Sequence, residues 1–206
     1  MTADEIAALF TRPDGSFLCA RWGRPIVPVV FGVDDATLAT VKAAIEAVVA
    51  LAGHRMAETD PELGANLMLF FFRDWEELPQ VPNLDRLVPG LVPLCARLAA
   101  EGANQFRLFR FDAEGAIRAV FVFLRMDAAL AEMPAADLAL AQAAGAILSW
   151  GDGAFAAEAP LARAGGTAIL RPVIAGLIRA AYDPTLPPVM RDSSHALRLA
   201  ARLGPV

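Results

Sequence analysis

Hydrophobic and polar positions are arranged differently in successive parts of this chain, and each arrangement predicts a different element. In 34–53 the apolar residues recur every three or four positions, which predicts a helix capped by Asp34 or Asp35 and ended by a glycine. The run 66–73, NLMLFFFR, is apolar almost throughout and predicts a central strand buried on both faces. The run 26–32 is β-branched but contains a proline, which favours an edge strand.

The second half of the chain shows one strand pattern, followed by helical patterns. In 105–111 apolar side chains alternate with arginines, and a turn at 112–115 leads into a second apolar run, which predicts a β-hairpin. An alanine-rich helix is predicted over 134–148, with Pro134 at its start. A loop at 151–166, a helix over 168–182 and a last helix from Ser193 or Ser194 to about Arg202 complete the prediction.

The order of these elements predicts an α+β fold. A long connection over 74–100, with one helix near 90–100, separates the first two strands from the hairpin. Strands grouped before helices indicate a mixed sheet of about four strands, covered by the early helix and the alanine-rich helix. We treat 1–206 as one domain with a sheet-containing part, 1–131, and an all-helical C-terminal third, 132–206.

Composition narrows the possible functions. The chain is 56% hydrophobic with a mean hydropathy of +0.46, but its longest uncharged run, between Asp137 and Asp152, is too short to span a bilayer. Since the residues after Met1 do not resemble a signal peptide, we expect a soluble, cytoplasmic protein. The net charge of −5 argues against a nucleic-acid partner.

Cationic side chains are concentrated near the C-terminal end, whereas the cysteines are scattered. From residue 171 onward the sequence contains five arginines but only two acidic residues, Asp183 and Asp192. This excess of positive charge indicates either a solvated helix face or a surface that docks on an acidic partner. Cys19 and Cys95 lie outside any zinc-binding spacing, so two buried free thiols are expected. The arginines are Arg171, Arg179, Arg191, Arg198 and Arg202.

Residues suited to catalysis are few. The two histidines, His54 and His195, share no motif, and neither HExxH nor a GxSxG elbow is present. The glycine-rich loops match no nucleotide-binding pattern. Glu76 and Glu77, beside Trp75, either line a cleft next to the strand or are simply solvated. We therefore predict no catalytic residue, no metal ligand and no cofactor.

Three stretches nevertheless carry a resemblance to a known family. They are RWGRPIVPVVFG with the following helix and ANLMLFFF, then LALAQAAGAILSWGD, and last LRPVIAGLIRAAYDPTLPPVM. Together they cover roughly 21–190, and in order and spacing the chain resembles a proteobacterial family of unknown function. Members of that family are mostly exported and look like degenerate zincin metallopeptidases. The resemblance implies a zincin-like fold.

The resemblance also assigns positions on the alanine-rich helix. Gln142 and Gly145 match the family's Gln and Gly, and 182–184 match its Tyr-Asp-Pro turn. A zincin would place its first histidine and its general-base glutamate at Leu138 and Ala139, and its second histidine at Gln142. Leucine and alanine offer no lone pair, and a neutral glutamine is a poor zinc ligand. The resemblance therefore implies a zincin-like domain that has lost HExxH.

Our leading hypothesis is a non-catalytic domain that binds a peptide or protein in a cleft beside strand 66–73 and helix 134–148. Strand addition is the expected mode if the sheet edge there is open. One alternative is a peptidase-like hydrolase with an atypical or absent metal site, and another is an interaction module that docks through its arginine-bearing C-terminal helices. The hydrolase would use some of Glu76, Glu77, Asp152, Asp183 and His195.

Nine residues are candidates for the binding site. A buried Gln142 must find hydrogen-bond partners, which we expect on the loop backbone at 151–153, and Gly145 would let a neighbouring segment approach closely. The candidates are Trp75, Glu76, Glu77, Gln142, Gly145, Asp152, Tyr182, Asp183 and His195.

Overall fold

Helices and strands alternate along the computed structural model, which describes residues 1–203. The strands are β1 (Cys19–Ala20), β2 (Pro28–Phe31), β3 (Leu67–Phe72), β4 (Gln105–Phe111), β5 (Ile117–Arg125), β6 (Leu161–Ala164), β7 (Thr167–Leu170) and β8 (Val189–Met190). The α-helices are α1 (Ala3–Ala8), α2 (Asp35–Leu51), α3 (Leu84–Leu87), α4 (Leu91–Ala100), α5 (Ala128–Ala131), α6 (Ala135–Ile147), α7 (Pro172–Ala181) and α8 (His195–Leu203). A 3-10 helix spans Trp75–Gln80.

A four-stranded mixed sheet in the order β2-β3-β5-β4 confirms the predicted α+β class and the predicted strands. β2, β3 and β5 run parallel, and β4 is antiparallel to β5, its hairpin partner. The crossover from β2 to β3 is made by α2, as a parallel pair requires. Asp34 caps α2, because its carboxylate accepts a hydrogen bond from the Thr37 backbone at 2.7 Å.

The sheet is covered on both faces. α2 and α6 pack on one face, against the inward side chains of Leu69, Val120 and Val122. The 3-10 helix, α3 and α4 cover the other face, where Phe70 and Phe121 are buried. The sequence predicted only the first of these layers, because the residues between β3 and β4 contain several prolines and a weak helical pattern.

Strand addition at β3 is excluded by the pairing of the sheet. β3 is hydrogen-bonded to β2 on one side and to β5 on the other, so it offers no open edge. The edges of this sheet are β2 and β4.

The C-terminal third is not all-helical, which corrects the sequence prediction. β6 and β7 form a hairpin across Gly165 and Gly166, whose φ angles of 56° and 84° suit a two-residue turn. Helix α7 therefore begins at Pro172 and not at 168, and proline is well tolerated there because the first helical turn needs no N–H from it. β8 pairs with β1 in a second two-stranded ribbon.

The lengths of the helices and the burial of the two cysteines bear on two further predictions. Within residues 1–203, no helix combines the length and the apolar character that crossing a membrane requires. Both cysteines are free and buried, as predicted, and burial raises the pKa of the Cys19 thiol to about 12. A thiol of this kind remains protonated at neutral pH and is a poor nucleophile.

Candidate functional site

The polar face of α6 points at the edge strand β4. Gln142 is 1% exposed, and its side-chain oxygen accepts a hydrogen bond from Nη2 of Arg107 at 2.7 Å. Its side-chain nitrogen donates to Oε1 of Gln105, also at 2.7 Å. The predicted bond to the loop backbone at 151–153 is therefore wrong. Gln105 and Arg107 reach the helix because alternate residues of β4 face the same side of the sheet as α6.

Arg107 is a half-buried cation without an anionic partner among the described residues. Among residues 1–203 it forms no ion pair, and its buried Nε has no hydrogen-bond partner. Burial lowers the pKa of the guanidinium to about 10, so the group stays protonated at neutral pH. The carbonyl oxygen of Gln142 is the one side-chain acceptor that Arg107 has within the described chain.

Gly145 makes room for this guanidinium. A Cβ atom at position 145 would lie 2.6 Å from Cζ of Arg107, closer than two carbon atoms can approach without a shift. The glycine thus permits a close approach, as predicted, and the approaching group is a side chain of β4. Gln142 and Gly145 lie one helical turn apart, so the hydrogen-bond acceptor and the space for the Arg107 side chain are on the same face of α6.

Aromatic side chains hold the C-terminal end of α6. The indole Nε1 atoms of Trp22 and Trp150 donate to the carbonyl oxygens of Ala146 at 2.9 Å and Ala144 at 2.8 Å. The hydroxyl of Tyr182 donates to the Ile147 carbonyl at 2.9 Å. The last carbonyls of a helix lack partners within the helix, so three buried donors here satisfy groups that would otherwise be left unpaired.

We expect Tyr182→Phe to lower the free energy of unfolding by about 1–2 kcal/mol, because the buried Ile147 carbonyl loses its donor. The backbone N–H of Trp22, which donates to the same hydroxyl at 3.3 Å, also loses its acceptor. Urea denaturation followed by tryptophan fluorescence measures the change. A midpoint equal to that of the unmodified protein would contradict the capping role of Tyr182.

A cleft of about 300 Å³ opens at the N-terminal end of α6. It lies at the carboxyl ends of the three parallel strands, since Val33 follows β2, Phe71 lies in β3 and Met126 follows β5. The first turns of α2 and α6 form its sides. We call it the apolar cleft, and its larger apolar side chains are Val33, Val41, Phe71, Met126, Leu130, Met133 and Leu138.

The lining of the apolar cleft carries few polar groups. Leu138 lines it, and Ala139 is buried in the core. Asp34 is the only charged residue of its lining, and its carboxylate is held by the Thr37 backbone. No lining residue is a histidine or a cysteine. The walls therefore offer contact area and no free base or nucleophile.

Comparison with protein-family models, with characterised proteins and with solved structures finds no match to this chain.

The acidic candidates after β3 serve the local fold. Glu77 accepts hydrogen bonds from the backbones of Arg73 and Asp74 at 3.2 and 3.0 Å, which closes the start of the 3-10 helix. Trp75 is buried beneath α4 and donates its indole N–H to the Ala103 carbonyl. Glu76 is exposed beside them. None of these three candidates lines the apolar cleft.

The remaining candidates lie in separate places. Asp183 pairs with Arg202 at 2.6 Å, and this hydrogen bond holds the pKa of the carboxyl well below its usual range. His195 begins α8 as a buried residue, and burial, assisted by neighbouring arginines, lowers its pKa. Asp152 is exposed in a turn. Within residues 1–203, no three His, Cys, Asp or Glu side chains converge in a way that would hold a metal ion.

Sequence reasoning missed Arg107 and most of the apolar cleft. One signal for Arg107 was present, since position 107 shares its strand face with Phe109 and Phe111, which pack against the core. An arginine in such a row is at least partly buried, and a cation withdrawn from water needs an acceptor. No comparable signal marks the cleft, because its lining comes from three separate segments of the chain.

Proposed function

We propose that this protein is a binding domain without a catalytic role for α6, and that the apolar cleft takes an apolar side chain of a peptide or protein partner. The observation that carries the proposal is the lining of the cleft, which is apolar except for Thr37 and Asp34. The resemblance assigns the place of a zincin ligand to Leu138, and this side chain lines the cleft. The zincin-like ancestry remains part of the proposal and rests on the sequence resemblance.

The position of the cleft supports a binding role. In sheets with parallel strands, ligands generally bind in the crevice outside the carboxyl ends of the strands, because the connecting loops there are free to vary. Two methionines, Met126 and Met133, lie in the lining, and the flexible thioether side chain adapts to partners of different shape. A volume of about 300 Å³ accommodates one large apolar side chain with part of its backbone.

A peptide library tests this function. Immobilised peptides that vary at one central position are probed with the purified protein, and retention is expected for leucine, methionine or phenylalanine but not for alanine or aspartate. Met133→Glu and Ala131→Trp change exposed positions at the cleft, so both variants should fold. Each should weaken binding of the retained peptides about tenfold or more, because burial of one large apolar side chain is lost.

Val92→Glu is the matched control, because Val92 is 63% exposed on α4, on the opposite face of the sheet. This variant should bind like the unmodified protein. Retention that does not depend on the varied residue, or equal retention by both cleft variants, would refute the proposal.

The two alternative functions have less support. A hydrolase would need Glu77, Asp183 and His195 to act together. Glu77 caps the 3-10 helix, Asp183 pairs with Arg202, and His195 is buried at the start of α8. Mass spectrometry of the same peptides after incubation detects cleavage, and cleavage abolished by Glu77→Gln would favour the hydrolase. In the proposed arginine-bearing surface, Arg171 pairs with Glu158 and Arg202 with Asp183, which neutralises part of its charge.

A further inference from the structure

A second cleft lies at the other end of the sheet from the apolar cleft, near the turn between β4 and β5. Its volume is about 780 Å³, within the range of small-molecule sites. One wall is the turn after α1, the other is the segment that follows β8, and Phe111 at the end of β4 closes the base. We call it the arginine cleft, because Arg12 and Arg191 both line it.

The walls of the arginine cleft are held by regular structure. Thr11 pairs with Phe17 across the turn, and the backbone N–H of Arg12 donates to the Ser16 carbonyl at 2.8 Å. The β1–β8 ribbon pairs Cys19 with Met190, and Leu18 and Arg191 are the residues just beyond this pair on the two chains of the ribbon. The cleft is therefore present before any ligand arrives, which reduces the entropy lost on binding.

Both arginines are positioned by apolar contacts of the β4–β5 hairpin. The guanidinium of Arg12 lies over the ring of Phe111, 5.9 Å from its centre. The guanidinium of Arg191 passes Gly115 so closely that a Cβ there would be 3.1 Å from its Nη2. Contacts of this kind orient a guanidinium and leave its N–H groups free to donate.

Two carboxylates, Asp14 and Asp192, lie near these arginines, and the charge of Arg12 contributes to the lowered pKa of Asp14. Within residues 1–203, neither Arg12 nor Arg191 forms an ion pair. Asp14 accepts hydrogen bonds from the backbone and hydroxyl of Ser16, and Asp192 accepts one from the backbone of Ser194 at 2.8 Å. These bonds hold the pKa of both carboxyl groups below the usual value, so both stay ionised and fixed in their capping roles.

We propose that the arginine cleft binds a small molecule that carries a phosphate or carboxylate group. Two unpaired guanidinium groups supply the planar, fixed N–H donors that such oxyanions accept in pairs. The hydroxyl of Ser193 adds a donor beside them, and Leu18 and Phe111 supply an apolar floor for the rest of the molecule. This site is separate from the apolar cleft and does not depend on the function proposed for it.

Isothermal titration calorimetry with inorganic phosphate and with citrate, at constant ionic strength, tests the proposal. Saturable binding of at least one probe is expected, and the probe that binds tells whether the group recognised is a phosphate, a carboxylate or either. Arg12→Gln and Arg191→Gln should each weaken that binding about tenfold or more, because each removes charge-assisted hydrogen bonds. Arg86→Gln, at an exposed position outside the cleft, makes the same change of charge and should leave the affinity unchanged.

Thermal unfolding of all three variants shows whether each is folded, and little change is expected since the replaced guanidinium groups have no polar partner in the described chain. The proposal is overturned if neither probe binds saturably to the unmodified protein. It is equally overturned if either cleft variant binds with the affinity of the unmodified protein.

Discussion

Replacing Gln142 with leucine is expected to lower the free energy of unfolding by about 2–3 kcal/mol, because the enclosed guanidinium of Arg107 loses its side-chain acceptor. Leucine has a similar volume and favours helices, so neither packing nor helix propensity should account for the loss. The cost arises from a charged donor that is half-buried and left without a protein partner. Urea denaturation, analysed by linear extrapolation, measures the change.

Gln80→Leu serves as the control for this variant. Gln80 is exposed at the end of the 3-10 helix and donates only to the Glu76 carbonyl, at 3.2 Å. Its replacement should change stability by less than about 0.5 kcal/mol. If the two glutamine variants proved equally stable, Gln142 would not be supporting Arg107.

Gly32→Ala is expected to be at least as destabilising, by about 3 kcal/mol or more. Gly32 has a φ of 83°, which costs other residues about 1 kcal/mol, and a Cβ at this position would collide with the carbonyl oxygen of Phe71. Since that oxygen belongs to the backbone of β3, the strand itself would have to move. The floor of the apolar cleft, which includes both residues, would move with it.

Gly53→Ala separates the two causes. Gly53 also has a positive φ, 63°, but nothing lies within 4 Å of the place a Cβ would occupy. The conformational cost alone, about 1 kcal/mol, is therefore expected. Thermal and urea denaturation of both variants give the comparison, and equal losses would mean that the collision with Phe71 is relieved without cost.

Strongly patterned elements were predictable because local sequence determines them. The unbroken apolar run of β3 requires burial on two faces, and the aspartate cap with a helical stripe defines α2. The β6–β7 hairpin was missed for a physical reason. Its strands have four residues each, with alanines and exposed polar side chains, so they bury little and leave no strand pattern.

The candidate site was less predictable than the fold because it depends on contacts between distant segments. The position of Gln142 on a buried helix face indicated that it needs partners, but the partners come from β4, more than 30 residues earlier in the chain. Tyr182 was selected through the Tyr-Asp-Pro resemblance, and its hydroxyl binds a helix end, a role that the turn sequence does not reveal.

Together these contacts indicate that the polar residues of α6 are occupied by the fold itself. Gln142 and Gly145 hold Arg107, and Tyr182 closes the C-terminal end of the helix. The N-terminal end of the helix differs, because Leu138 lines the apolar cleft there and has no such role in holding a polar group.

The most direct test of this account is a double-mutant cycle of Gln142→Leu and Arg107→Met, with the free energy of unfolding measured for the unmodified protein, both single variants and the double variant. We predict a coupling energy of about 2 kcal/mol, because Gln142→Leu is costly only while the Arg107 guanidinium is present. The double variant should therefore be much more stable than the sum of the single losses implies. Losses that simply add would contradict the conclusion that the polar face of α6 serves to hold Arg107.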